Sequence, residues 1–566
     1  MERDRIVEAI EELAALSELL EENPFKVRAY ANGARALAKT SLAPERWGEP
    51  GILESVPGVG KAIAEKVREL LSTGAMRKLE EMRALVPQGV RALLAIPGLG
   101  PKKAGALWRG LGIASPGELE YACIENRLVA LQGFGVKTQE KILAGIRFRA
   151  RHAGKVLLPA ALLAQEELLP LLRRAAPEGS WTWAGEAARL CPVVGGLELV
   201  ADEGHAAPLA EALALARSGP SSFEGASPGG LRLHLRTAPR RALGAASVWH
   251  GSAPPFREAL REELAGRGLE WGPEGLFHDG RPFETPSEAS FWEAAGRPAV
   301  PPECRELSEA LEADLASLVR EGDLRGTFHV HTDWSDGGAS LEEMVEGAER
   351  LGWEYLGICD HSVSAAYAGG LSAARLREQR AAIAEVQSRH PGVKIFAGVE
   401  SDILADGALD YSGEELASLG LDLLVASVHS RFNLEEEAQT RRIEAAVRNP
   451  ATTFLGHPTG RLLLAREPYR LRWRAVADAA ASSGTAVELN ANPHRMDVDW
   501  REIPALRGSG IQVGIHPDAH SVEGLRDVRY GIFADRKGLA RKSDVINAMD
   551  AREVSAYLAS RKGVRS

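Results

Sequence analysis

The sequence predicts a multidomain chain, with helices at the N-terminus, a mixed α+β middle and a C-terminal β/α barrel. Three patterns predict it. A motif of hydrophobic residue, Pro or Gln, Gly, hydrophobic residue, Gly recurs three times before residue 150, each time ahead of a helical stretch. Short apolar runs separated by turn residues fill 157–240. Beyond residue 325, apolar runs of strand length alternate with helical stretches, and most end in a histidine or a carboxylate. At 566 residues the chain has room for about three to four domains.

The opening MERDRIVEAIEELAALSELL reads as an amphipathic helix, not a leader peptide. No apolar run approaches the ~18 residues of a membrane span. Net charge is −10, which gives no global signature for nucleic acid. Residues 1–150, however, carry 22 Lys+Arg against 19 Asp+Glu, so the acidity lies downstream. The four cysteines are far apart with no CxxC, which points to a reducing compartment. A soluble, cytoplasmic, nucleoid-associated monomer is expected.

The repeats are SVPGVGKAIAEKVREL (55–70), AIPGLGPKKAGALWRGL (95–111) and ALQGFGVKTQEKILAGI (130–146). Each reads as a helix-hairpin-helix. The paired glycines, Gly58 and Gly60, Gly98 and Gly100, Gly133 and Gly135, let backbone approach a phosphate. The N-terminus of the next helix then offers unpaired N–H groups to it. Lys61, Lys102, Lys103 and Lys137 add charge at the same place. One such pair is weak, since Gly also ends helices. Three copies predict DNA bound through its backbone, without sequence preference.

In the middle, CPVVGGLELVA and GGLRLHLRTAP read as strands, with a helix near HAAPLAEALALARSG and a loop over 216–230. The proline-rich GRPAVPPECRE leads into LSEALEADLASLVREG, which reads as a linker helix within 306–324.

The barrel region concentrates ligand chemistry. His329 and His331 lie in FHVHTDWSDG, with Asp336 five residues on. His361, Glu400, His429 and His457 follow in CDHS, GVESDI, SVHS and GHPTGR, and Asp518 and His520 in PDAHS. Six of the chain's 14 histidines belong to this set. Imidazole with carboxylate suits zinc or manganese, and ligands at the ends of successive parallel strands are how a β/α barrel builds a site. Arg431 and Arg461 follow ligands closely and could neutralise phosphate oxygens. Asp360 reads as a support for the ligands, and His494 in NANPHR as a weaker candidate for substrate contact.

The string GTFHVHTDWSDG…CDHS…GVESDI…SVHS…GHPTGR…DAHS resembles the polymerase and histidinol phosphatase (PHP) domain, in the form carried by bacterial family X DNA polymerases. The resemblance implies a distorted (β/α)7 barrel over 325–566 holding two to three divalent ions, manganese or zinc. It implies phosphoester hydrolysis, usually 3′→5′ exonuclease. It also implies a sharing of ligands. His329, His331, Glu400 and Asp518 would surround one ion. Glu400 would bridge to a second held by His361 and His429. Asp336, His457 and His520 would serve a third.

The same resemblance divides the rest of the chain. It implies a lyase-like helical domain (1–80), a fingers-like domain (81–155), an α+β nucleotidyltransferase palm (156–242) and a thumb (243–305). In the first, Lys66 falls at the family's Schiff-base lysine, with Lys26 and Tyr30 at supporting positions. Such a lysine must be neutral to attack, which needs burial or nearby cations.

The palm departs from the family pattern. AGEAARLCPVVGGLELV aligns without a gap, but Glu186 and Ala188 stand where Ser and the first Arg are expected, and Pro192 where Glu is. Gly196 and Glu198 occupy the first two catalytic Asp positions, and His234 the third. Nucleotidyl transfer needs carboxylates to clamp two divalent ions. The sequence therefore predicts a nuclease acting on gapped or nicked duplex and 3′ ends, with polymerase activity lost or much weakened. The rival readings are an active gap-filling polymerase with unusual ligands and a non-catalytic DNA-end scaffold.

Overall fold

The computed structural model describes residues 3–40, 42–124, 127–131 and 133–563. The chain divides into two compact units, 1–153 and 154–566. Among the described residues no helix is long and apolar enough to cross a membrane.

The first unit is helical and has one hydrophobic core, which runs from Ile6 to Ile146 across the expected boundary at 80. Its three repeats fold alike. Gly58, Gly98 and Gly133 take left-handed φ of 93°, 83° and 89°. Gly60, Gly100 and Gly135 are the N-caps of the helices Lys61–Thr73, Pro101–Leu111 and Val136–His152. Between each pair a side chain is buried: Val59, Leu99, Phe134. The apolar residue anchors the turn while both glycines stay at the surface.

The second unit opens with a mixed five-stranded sheet. Trp181–Ala184 lies antiparallel to Leu197–Asp202, which runs parallel to Arg232–Ala238. The strands Ser222–Ala226 and Ala216–Gly219 complete it as a hairpin. This corrects the expected loop over 216–230. Its Gly, Ser and Pro residues mark turns, but Phe223 opposite Leu235 and the backbone pairing of the mostly exposed edge strand extend the sheet through them. Two helices, the meander Leu269–Gly272, Gly275–His278, Arg281–Pro282 and the helix Glu288–Ala294 follow.

The linker helix expected within 306–324 does not form. The segment holds only short 3-10 turns at Ser308–Leu311 and Glu321–Asp323. Leu318 and Val319 are buried instead, with Leu318 bridged to Arg541 and the Val319 amide donating to the Ala540 carbonyl (3.2 Å). Tertiary burial overrides helix propensity here.

The C-terminal strands are all parallel. One sheet orders Gly326–Val330, Tyr355–Ile358, Lys394–Ala397. The other orders Glu400–Asp402, Val425–Ser427, Phe454–Leu455, Ala486–Asn490, Val513–His516. Bridges from His361 to Glu400 and from Val330 to Ala519 join the two sheets on both sides. If Lys394–Asp402 is counted as one strand broken at Gly398–Val399, the barrel has seven staves, as expected.

Candidate metal centre

The nine candidate ligands gather on one side of the barrel, most of them in or just after a strand, with Asp336 and His520 on the loops that follow the first and last strands. His329, Glu400, His331 and His457 are almost fully buried. Glu400 is the hub. Its Oε1 lies 3.1 Å from His329 Nε2, 3.2 Å from His429 Nε2 and 3.0 Å from His457 Nε2. Its Oε2 lies 2.9 Å from His361 Nδ1.

Ligand atoms converge within 4.8 Å in several overlapping groups: His329, His331 and Glu400; His361, Glu400 and His429; His329, His457 and Asp518; and His331, Asp336, His361 and His520. The first two groups share Glu400, as the bridging arrangement requires. The third set differs from the expectation. Asp336 and His520 join His331 and His361 on one side, while His457 joins His329 and Asp518 on the other. The reason is topological. Asp336 is on the loop after the first strand and His520 on the loop after the last, and the closure of the barrel makes these loops neighbours.

The surrounding residues fix the rings. Asp402 Oδ1 is 2.6 Å from His429 Nδ1, and Glu488 Oε2 is 2.5 Å from His329 Nδ1. Holding each Nδ1 in this way leaves Nε2 as the nitrogen turned toward Glu400. Glu488 Oε2 also meets His516 Nδ1 (2.9 Å), and its Oε1 accepts from the His457 amide (2.8 Å) and Asn490 (3.0 Å). Asp360 accepts from the Thr332 amide and hydroxyl and from Gln379, holding the loop after His331. Three ligands, His329, His457 and Asp518, sit at positive φ (57°, 21° and 52°). Such strain persists where surrounding structure over-determines it, and it concentrates at functional sites.

The electrostatics fit a cation. Burial, then the neighbouring His520 and His361, push His331 down to about 3, so its ring is neutral. Burial alone would lower His429, but Glu400 and Asp402 reverse that and carry it to about 10. His329 rises likewise, against burial, beside Glu488 and Glu400. Despite burial, the adjacent imidazoles hold Glu400 and Asp518 well below the carboxylate range. Both ring nitrogens of His331, His329 Nε2 and Glu400 Oε2 are buried and, close as their neighbours come, make no hydrogen bond of good geometry. Buried polar atoms are rarely left so, and a donor set of imidazole and carboxylate is what a divalent ion would satisfy.

The two sequence-picked arginines part company. Arg431 is exposed, at φ 54°, two residues past His429. Arg461 does not face the cluster. It is buried, pairs with Asp499 (2.5 Å) and donates to the Arg495 and Met496 carbonyls. It positions the loop that carries Arg495, and Arg495 Nε lies 3.6 Å from Asp518 Oδ2. His494, beside it, is exposed.

A helix-hairpin-helix domain model matches residues 1–76, a SAM-like helix-hairpin-helix tandem 90–147 and a PHP domain 327–492. The chain is 32% identical to the DNA polymerase/3'-5' exonuclease PolX of Bacillus subtilis (strain 168), across 99% of both chains. The chain belongs to the bacterial family X DNA polymerases. Two further relatives match over part of the chain. A probable phosphatase of Syntrophotalea carbinolica is 29% identical over 31% of this chain and 67% of its own. The Holliday junction branch migration complex subunit RuvA of Acidovorax sp. is 26% identical over 26% of this chain and 78% of its own.

In this family X chain two of the three positions expected of a palm site, Glu198 and His234, are neighbours on paired strands. Glu198, His234 and Glu224 are side by side across three strands, lining a cavity of about 430 Å³ with Gly196, Lys155 and Arg232. Glu198 lies 3.5 Å from Arg236, and His234 Nε2 lies 3.8 Å from Glu224. In the first unit, Lys66 is half-buried, its Nζ 5.7 Å over the ring of buried Tyr30, while Lys26 and Lys61 are exposed.

Proposed function

We propose that the barrel is a metal-dependent DNA phosphodiesterase that trims 3′ ends on gapped or nicked duplex, in repair. In this reading two to three ions, manganese or zinc, are held by the nine ligands. The observation that carries it is Glu400 shared between two groups of imidazoles. Divalent ions bound there would lower the pKa of a water between them and neutralise charge gathering on the phosphate. The chain's own residues do the rest. Glu488 and Asp402 keep His329 and His429 in the ligating tautomer. Arg495 and Arg431 offer guanidinium donors to phosphate oxygens. The three hairpins grip the duplex backbone through exposed glycine turns and lysines.

Nucleotide addition is read as lost or much weakened. Of the three acid positions given by alignment, only Glu198 keeps a carboxylate, and it is engaged with Arg236. A Cβ at Gly196 would meet Arg232 Cβ and its carbonyl at 3.2 Å, so a restored aspartate there needs the neighbouring strand to shift. A lyase role for Lys66 is supported by its placement over Tyr30, and borohydride should trap it on an abasic oligonucleotide but not trap a Lys66→Ala chain.

The deciding assay uses a 5′-labelled gapped duplex with manganese, with and without nucleotides. Shortening that Glu400→Ala abolishes is the expected result. Template-directed extension would establish the gap-filling reading instead, and binding with neither outcome would leave a scaffold.

A further inference from the structure

Two arginines near the metal centre have too little negative charge around them. Arg495 reaches Asp518. Arg466 lies on a loop beyond the strand end that carries His457. Its Nε donates to the Gly460 carbonyl (2.9 Å), and its guanidinium lies 4.1 Å over the Phe432 ring. Phe432 in turn stacks on Tyr469 (centroids 6.2 Å, planes 27° apart), whose hydroxyl donates to the Pro458 carbonyl (2.6 Å). Gly460 is required at the crossing. It sits at φ 60°, and a Cβ there would come 2.7 Å from Tyr469 and 3.1 Å from Phe432. The stack is therefore built from the two loops that follow His429 and His457.

Among the described residues Arg466 forms no ion pair. The acid nearest in effect is Asp497, whose oxygens already accept from the Thr459 hydroxyl (2.9 Å) and amide (3.0 Å). Burial first, and Arg495 second, lower the Arg466 pKa. Two half-buried guanidinium groups that repel each other are costly to hold, and a planar fork fixed on an aromatic face is suited to an anion.

Resting on the phosphodiesterase reading, we propose that Arg466, carried on the Phe432–Tyr469 stack, is a second phosphate subsite beside Arg495. The barrel then favours a strand bearing a further phosphate next to the one being cut over an isolated phosphate ester. Neighbouring phosphates along one nucleic-acid strand meet this requirement; a small phosphomonoester does not.

The test reads binding, so it does not depend on cleavage. The full chain, loaded with calcium to suppress turnover, is titrated calorimetrically with thymidine 3′,5′-bisphosphate and with thymidine 5′-monophosphate. The wild type should prefer the bisphosphate by about tenfold, one good contact's worth. Arg466→Gln should bring the bisphosphate down to the level of the monophosphate. Phe432→Leu, which keeps the charge and removes the platform, should lose most of the preference. A wild type without preference overturns the subsite, and so does a preference that survives both substitutions. Equal loss of both ligands in the variants also overturns it, since the stack would then be merely structural. If the preference holds while the gapped duplex is never shortened, the subsite stands and the nuclease reading falls. The reverse pattern removes the subsite alone.

Discussion

Glu488 joins two ligands through one carboxylate, fixing the His329 ring with one oxygen and the His457 backbone with the other. Glu488→Gln keeps the shape but loses the charge and one acceptor. Its manganese affinity should fall by about 10- to 100-fold, the usual cost of losing such support. Metal content of the dialysed chain checks this, and an unchanged content would show that the ligands orient themselves. Most of the nine candidate ligands stand out in the sequence because they end an apolar run, where a polar residue marks a strand end. Glu488 does not, since TAVELN reads as an ordinary buried strand. The signal was a carboxylate inside that strand, which cannot be buried without partners. Arg461 misled for a related reason. Sequence places a guanidinium beside a ligand but not the direction in which it points, and Asp499 together with two carbonyls turned it away.

At the scale of elements, the three hairpins were readable to the residue because only glycine tolerates their left-handed turn. The linker helix gives way to burial against the distant segment Ala540–Arg541, and the 216–230 loop to ladder pairing with the neighbouring strand Arg232–Ala238; local composition encodes neither. The hairpins give a direct prediction. A Cβ at Gly58 would lie 3.3 Å from Ala36 Cβ, whereas Gly98 and Gly133 have open space around them. Gly98→Ala and Gly133→Ala should therefore cost about 1 to 2 kcal/mol locally through backbone strain. Each should weaken duplex binding and make its salt dependence shallower by about one phosphate contact. Fluorescence titration at two salt concentrations checks this. Full affinity in both variants would mean that these hairpins do not touch DNA.

Across the second unit, a buried cluster joins sheet to barrel. Lys537, at 0% exposure, donates to the Arg189 carbonyl (2.5 Å) and pairs with Glu306 (3.2 Å), which also pairs with Arg189 (2.9 Å). Breaking such a buried group typically costs about 3–5 kcal/mol, because a charge is left uncompensated. Glu306→Gln should lower the melting temperature accordingly at pH 7. Despite burial, Lys537 and Arg189 hold the Glu306 carboxyl below its ordinary 4.5. Its contribution is thus complete above about pH 4.5 and disappears as pH falls through the lower, folded-state value. The gap between variant and wild type should therefore narrow from pH 6 to pH 3. A constant gap across that range in thermal scans would rule out the ionised carboxylate as its source.

That junction bears on excision and grafting. Leu539 from the barrel's side completes the hydrophobic core of the segment before it, together with Leu318, and Arg536 reaches back to Glu303 (2.8 Å). A barrel cut free near residue 320 would expose Lys537 without its counter-charge and Leu539 without its neighbours. The two compact units meet at Ala153–Gly154, so a transplanted barrel should carry the sheet that precedes it.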